Sequence, residues 1–233
     1  MPMESSRNIV KMNKKAIIFD MGGVLIDLDL EGCKNAFKTV LGFDQIDNII
    51  DACHQKGIWG ELEEGSLHPD EFRRIVLAGS RPGSAAQDVD QCMSRILVGI
   101  EPYKAVMLRH MAQSYDLYML SNNNAICLPF ASKMFDQACA PLKEVFLKLF
   151  LSFEMKTLKP SAEFYQRVME EIGLPAEDML FIDDSQKNVD GAVAAGLPAV
   201  YYEPGTDLAA LLSEVLGDPS IAEISHKDVE ENC

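Results

Sequence analysis

Five short apolar runs punctuate the chain: KAIIFD at 15–20, YDLYMLS at 115–121, VFLKLFLS at 145–152, DMLFIDD at 178–184 and PAVYYE at 198–203. Each is rich in β-branched and aromatic residues and stops at polar or turn residues, the pattern of a buried strand. Helical stretches lie between them: YKAVMLRHMAQ before the second run, SAEFYQRVMEEIG before the fourth and NVDGAVAAG after it. Parallel neighbours need crossover connections, so this alternation predicts an α/β fold with a doubly wound parallel sheet.

From Leu30 to Gly99 the rhythm breaks and no strand is expected. The segment carries amphipathic patterns instead: EGCKNAFKTVLGF, IDNIIDACHQKG, PDEFRRIVLAG and VDQCMSRILVG. Pro69 suits a first helical position, and Asp70 and Glu71 follow it where the helix dipole favours negative charge. The expectation is an α-helical module at 29–100 inserted into a core made of 1–28 and 101–233.

Composition narrows the functional classes. The 233 residues are 48% hydrophobic, enough for one sizeable core with a substantial insertion. A net charge of -15 repels nucleic acid and anionic membranes, so neither is expected as a partner. Six cysteines form no CxxC pair and no His lies at metal-like spacing, which argues for reduced thiols rather than a zinc site or a disulfide framework. With no apolar export signal behind the basic MPMESSRNIVKMNKK start and no window of membrane-span length, a cytoplasmic protein is expected.

Candidate chemistry gathers at strand ends, where doubly wound sheets bind ligands. Asp20 ends the first run, Ser121 and Asn122 the second, and Asp183 and Asp184 the fourth. A carboxylate at the tip of a core strand needs a charged or hydrogen-bonding partner, and three converging acids repel unless a cation joins them. Oxygen donors of this kind point to a divalent metal, Mg2+, whose shell water and substrate phosphate complete. The Ser121 hydroxyl suits phosphate oxygens, and Lys159, at a strand-to-helix connection before Pro160, suits their charge.

FDMGGVLID, LSN, KTLKP and FIDDSQKNVDGAVAAG, in that order and with a helical insertion after the first, resemble the haloacid dehalogenase superfamily with a helical C1-type cap. The resemblance spans nearly the whole chain. It implies that Asp20 is a nucleophile forming an aspartyl-phosphate, and that Ser121 binds the transferred group with Asn122 nearby. By the same resemblance Lys159 pairs with nucleophile and phosphate. Asp184 is the main metal ligand and Asp183 the second choice, with Asn188 in support.

Gly22 departs from the common Asp-x-Asp phosphatase pattern. Its backbone carbonyl still serves a metal, but the side chain that protonates the leaving oxygen is missing, a loss typically of about a hundred- to ten-thousand-fold in rate. FDMGGVLIDLD resembles a subgroup of sugar-phosphate phosphatases with glycine here, which favours glucose 1-phosphate and its good leaving group. The alternative is a catalytically impaired protein that binds a phosphorylated ligand or a protein partner. A 2-haloacid dehalogenase or a phosphomutase is a minor alternative, the first because the acid pair would be unexplained, the second because it needs the absent acid. Asp27 and Asp29, where the chain leaves the core, are candidate replacement proton sources. Trp59, His54, Glu64 and His68 in the inserted module read first as core or exposed residues and second as substrate contacts.

Overall fold

The strand Ala16–Phe19 (β1) is the centre of the molecule, and its four residues are all buried. Ile17 and Phe19 enter one apolar cluster, Ala16 and Ile18 another, so the period-two side-chain alternation feeds two separate layers. The structure is a computed structural model that describes residues 14–50 and 57–224. Along the chain the further strands are Asp27–Leu28 (β2), Leu97–Gly99 (β3), Asp116–Ser121 (β4), Lys148–Leu151 (β5), Met179–Asp183 (β6) and Ala199–Tyr201 (β7). Five of them form one parallel sheet in the order β5-β4-β1-β6-β7. The chain runs outward from β1 to β4 and β5, then returns to the other side of β1 with β6. Strand order therefore reverses at β1, and the crevice beyond its carboxyl end is the place for a ligand.

The five expected strands are all present, with one boundary moved. Leu142–Val145 closes a helical turn, so the strand in VFLKLFLS begins only at Lys148. The expected helices form at Pro102–Met111, Ala162–Ile172 and Gln186–Ala194. Helices also form at Leu128–Gln137 and Leu208–Leu216, beyond those the sequence pattern predicts.

Among the described residues between Leu30 and Gly99 the secondary structure is mainly helical, with one short strand. β3 pairs antiparallel with β2, joining the two places where the chain passes between sheet and helices. Three residues are too few for periodicity to reveal. Pro69 does open the helix Pro69–Ala78, whose preceding His68 accepts from the Asp70 amide. The helix Gly57–Glu64 carries only a weak helical signal in the sequence because two glycines dilute it. Asp44–Asn48 is a 3-10 turn, and the remainder of IDNIIDACHQKG reaches into residues outside those described. These helices share their own apolar cluster, in which Phe37, Trp59, Leu62 and Phe72 meet Ile126 and Cys127 from the sheet side.

Cys33, Cys92 and Cys127 are free and buried. Among the described residues no helix is long and apolar enough to cross a membrane.

Candidate active site

Asp20 follows β1 directly, and its backbone N–H donates to the Ile182 carbonyl (2.9 Å), which extends the β1–β6 ladder to the sheet rim. The carboxylate accepts from the Met21 amide at 2.7 Å on Oδ1 and from Lys159 Nζ at 2.8 Å on Oδ2. Burial is the main cause pushing Asp20 up to about 7; Lys159 opposes the shift, and Asp183 and Asp184 add to it.

Lys159 reaches the same rim from the connection after β5. Its ammonium lies 5.4 Å from the centre of the Phe181 ring and donates to Asp183 Oδ2 (2.7 Å) and to the Leu120 carbonyl (3.1 Å). Burial works against its charge, but Asp183 and Asp20 outweigh burial and hold its pKa above the ordinary lysine value. Asn122 fixes the lysine through its main chain: Oδ1 accepts from the Lys159 amide (2.8 Å) and Nδ2 donates to the Lys159 carbonyl (3.2 Å). The Asn122 side chain is thus engaged in holding Lys159, a task its position in the sequence did not disclose.

Asp183, the last residue of β6, and Asp184 next to it differ as strand alternation demands. Asp183 is 0% exposed and falls on the Phe181 side of the sheet. Its oxygens take hydrogen bonds from Lys159, from the Ser185 amide (2.8 Å) and from Asn188 Nδ2 (3.0 and 3.2 Å). Asp184 instead lines the cavity above the rim. Burial first, then repulsion from Asp183, pushes it up to about 6 against the pull of Lys159. Its carboxylate sits so close over Gly23 that a Cβ there would lie 2.0 Å from Oδ2, and Gly23 also has a φ of +74°. Glycine at 23 is therefore required twice, by backbone conformation and by space.

Oxygens of Asp20, Asp183 and Asp184 all lie within 4.8 Å of one another. A cavity of about 620 Å³ opens above them, within the range of small-molecule sites, and Ser121 and Asn188 reach its wall. Ser121 Oγ makes only a long 3.5 Å contact to the Asn122 carbonyl, which leaves the hydroxyl available to a ligand. Gly22 lies on the same wall, and a Cβ added to it would come 2.9 Å from Leu28 Cδ1.

The cavity roof comes from the helical region and includes Trp59 and Glu63. Glu63 was not singled out in the sequence, because a glutamate on a short helix carries no motif. Trp59 serves both core and cavity wall, meeting Phe72 edge-on at 6.1 Å. Glu64 and His68 do not line the cavity: Glu64 accepts from Ser66 and His68 caps a helix. His54 lies outside the described residues. Asp27 and Asp29 do not line it either, since Asp27 faces Lys104 at 3.4 Å and Asp29 caps the helix Leu30–Ala36.

Residues 14–196 match the model of the haloacid dehalogenase-like hydrolase family. A curated relative, D-ribitol-5-phosphate phosphatase of Bacteroides thetaiotaomicron, is 31% identical over 87% of this chain and 98% of its own length. A sesquiterpene phosphatase of Aspergillus oryzae is 25% identical over 87% of this chain and 97% of its own. Among solved structures, a HAD family enzyme of Bacteroides thetaiotaomicron in complex with magnesium and inorganic phosphate superposes with a TM-score of 0.81. It is 32% identical, and the match covers 85% of this chain and 98% of that one. With the four motifs at one sheet rim and the family matched over most of its length, the chain belongs to the haloacid dehalogenase-like hydrolases, among which these curated relatives are named phosphatases.

Proposed function

We propose that the protein is a Mg2+-dependent phosphatase of small sugar or polyol phosphates, working through an aspartyl-phosphate on Asp20. The observation that carries this reading is the buried Asp20 carboxylate at the strand-order reversal, 2.8 Å from Lys159 and facing a cavity of about 620 Å³.

The donor set fits a hard divalent cation. Asp20 and Asp184 offer carboxylate oxygens whose pKa values burial and mutual repulsion raise, and a nearby cation relieves that tension. Gly22 contributes a carbonyl, while Asp183, with its oxygens already engaged, supports from behind. Bound there, Mg2+ supplies positive charge against the oxygens of the phosphoryl group.

The remaining work falls to the chain. Asp20 attacks phosphorus in line, and Lys159 and the Ser121 hydroxyl take up charge on the equatorial oxygens. Asn122 and Asp183 hold Lys159 in place. Asn188 holds Asp183 in turn. Water then cleaves the aspartyl-phosphate. The helical segment, taken as a cap over 29–100, excludes bulk water and selects the substrate.

The relative's named substrate is a 5-phosphate on a primary alcohol, a leaving group that needs a proton. In this reading the alkyl phosphates of sugars and polyols rank first as substrates. Glucose 1-phosphate, favoured by the missing acid at Gly22, comes second.

Phosphate release from D-ribitol 5-phosphate, glucose 1-phosphate and p-nitrophenyl phosphate, with and without Mg2+, tests the reading. The expected result is Mg2+-dependent release that falls at least about a thousandfold in Asp20→Asn. Wild-type rates in Asp20→Asn would overturn the role of Asp20. Tight phosphate binding with no release from any ester would favour a binding-only protein.

A further inference from the structure

We infer that Glu63, delivered by the helix Gly57–Glu64, donates the proton to the leaving oxygen and so replaces the carboxylic acid that Gly22 lacks. This inference rests on the phosphatase reading above.

Three carboxyl groups line the cavity among the described residues: Asp20, Asp184 and Glu63. The first two belong to the cluster around Lys159, so Glu63 is the one acid on the wall with no place in that cluster. The space beside Gly22 is taken by the apolar end of Leu28, 2.9 Å from where a Cβ would sit. An acid for the leaving group has to come from elsewhere, and the roof provides one.

The two oxygens of Glu63 are not equivalent. Oε1 accepts a hydrogen bond from Trp59 Nε1 at 2.8 Å. Oε2 is buried with no hydrogen-bond partner among the described residues. A buried, ionised, unpartnered oxygen is costly, so the group is held neutral until a ligand arrives. Burial pushes Glu63 up to about 8; the Trp59 hydrogen bond and the charge of Lys159 pull it down, and Asp20 adds a little upward. Cys127 also faces it, and burial raises that thiol, keeping it neutral. Because the indole N–H already occupies Oε1, the carboxylic proton resides on Oε2, which makes the unpartnered oxygen the donor.

The chemistry balances without any further reactant. As Asp20 forms a bond to phosphorus, the bond to the ester oxygen breaks, and its electron pair takes the proton from Glu63 Oε2. The alcohol departs and Glu63 becomes a carboxylate. In the second half, water attacks phosphorus and gives a proton to Glu63 as the Asp20–phosphorus bond breaks. Asp20 returns as carboxylate, Glu63 as acid, and phosphate leaves.

The test compares Glu63→Gln with wild type on two esters in single turnover with Mg2+. Glutamine keeps an oxygen for Trp59 but has no acidic proton. On D-ribitol 5-phosphate the variant is expected to lose about a hundred- to ten-thousand-fold. On p-nitrophenyl phosphate, whose leaving group needs no proton, the first burst of p-nitrophenolate should change by less than about threefold, with slower turnover after it. In wild type an alkaline loss near pH 8 should accompany the alkyl ester and be absent from the nitrophenyl burst. Parallel losses on both esters, or no loss on either, would overturn the role of Glu63 while leaving the phosphatase reading intact. A wild type silent on every ester would overturn both.

Discussion

Glu63 concentrates the chemistry of the roof in one side chain, and it also makes the fold sensitive to pH. Its ordinary value of 4.5 rises to about 8 in the folded protein, burial being the largest cause. Between those two values the unfolded chain releases the proton while the folded chain retains it. Stability therefore falls as pH rises across that window. Glu63→Gln has no proton to lose, so its melting temperature should match wild type near pH 4.5, then exceed it by a margin that grows toward pH 8. Melting curves of the metal-free proteins along a pH series check this; a constant offset at every pH would mean that Glu63 is ionised throughout. Gly23 gives the complementary case, a residue whose value is the atom it lacks. Its φ of +74° and the Asp184 carboxylate at its face leave no room for a side chain.

Elements were legible wherever burial on two faces or a long amphipathic stripe wrote itself into the sequence. β1, β4 and β6 read directly because their residues feed apolar clusters on both sides of the sheet. The polar residues ending those strands were legible for the same reason, since Asp20, Ser121 and Asp183 interrupt runs that are otherwise apolar. The helix Gly57–Glu64 and β3 were not, being short, glycine-weakened or only three residues long. The role of Asn122 was equally hidden, because it depends on a backbone segment 37 residues away. Ser152, at the end of β5, shows what ties the unread helix to the site. Its hydroxyl donates to the Glu63 carbonyl at 2.6 Å and accepts from the Asn123 amide at 3.0 Å, two residues beyond Ser121. Lys156 secures the same helix end through the Gly65 carbonyl at 2.7 Å. Ser152→Ala leaves a buried carbonyl and a buried N–H without that bridge, which costs about 1–3 kcal/mol. The expected result is a lower urea midpoint together with slower turnover of the alkyl ester. An unchanged midpoint and unchanged turnover would mean that Glu63 is positioned without Ser152.

At the scale of the whole molecule, sheet topology and charge meet at one point. Strand order reverses at β1, which brings β4 and β6 to either side of Asp20 and gathers three acids around a single lysine. The chain as a whole carries a net charge of -15, so the surrounding field adds to the pull on a cation and to the repulsion of an anionic substrate arriving without one. Metal should accordingly bind the folded chain and not the unfolded one, and stabilise it in proportion to RT ln(1 + [L]/Kd). After chelation and dialysis, Mg2+ titrated at pH 7 should raise the melting temperature progressively, by an amount that corresponds to about 2.7 kcal/mol when the ion stands at a hundred times its Kd. Asp184 lines the cavity whereas Asp183 is enclosed by Lys159, Ser185 and Asn188, so the two acids should respond differently. Asp184→Asn is expected to remove most of the Mg2+ shift while leaving the metal-free melting curve cooperative. In Asp183→Asn the loss should appear in the metal-free protein itself, because the buried ammonium of Lys159 loses one of its two carboxylate partners. A full Mg2+ shift retained in Asp184→Asn would take that residue out of the metal set and transfer its part to Asp183.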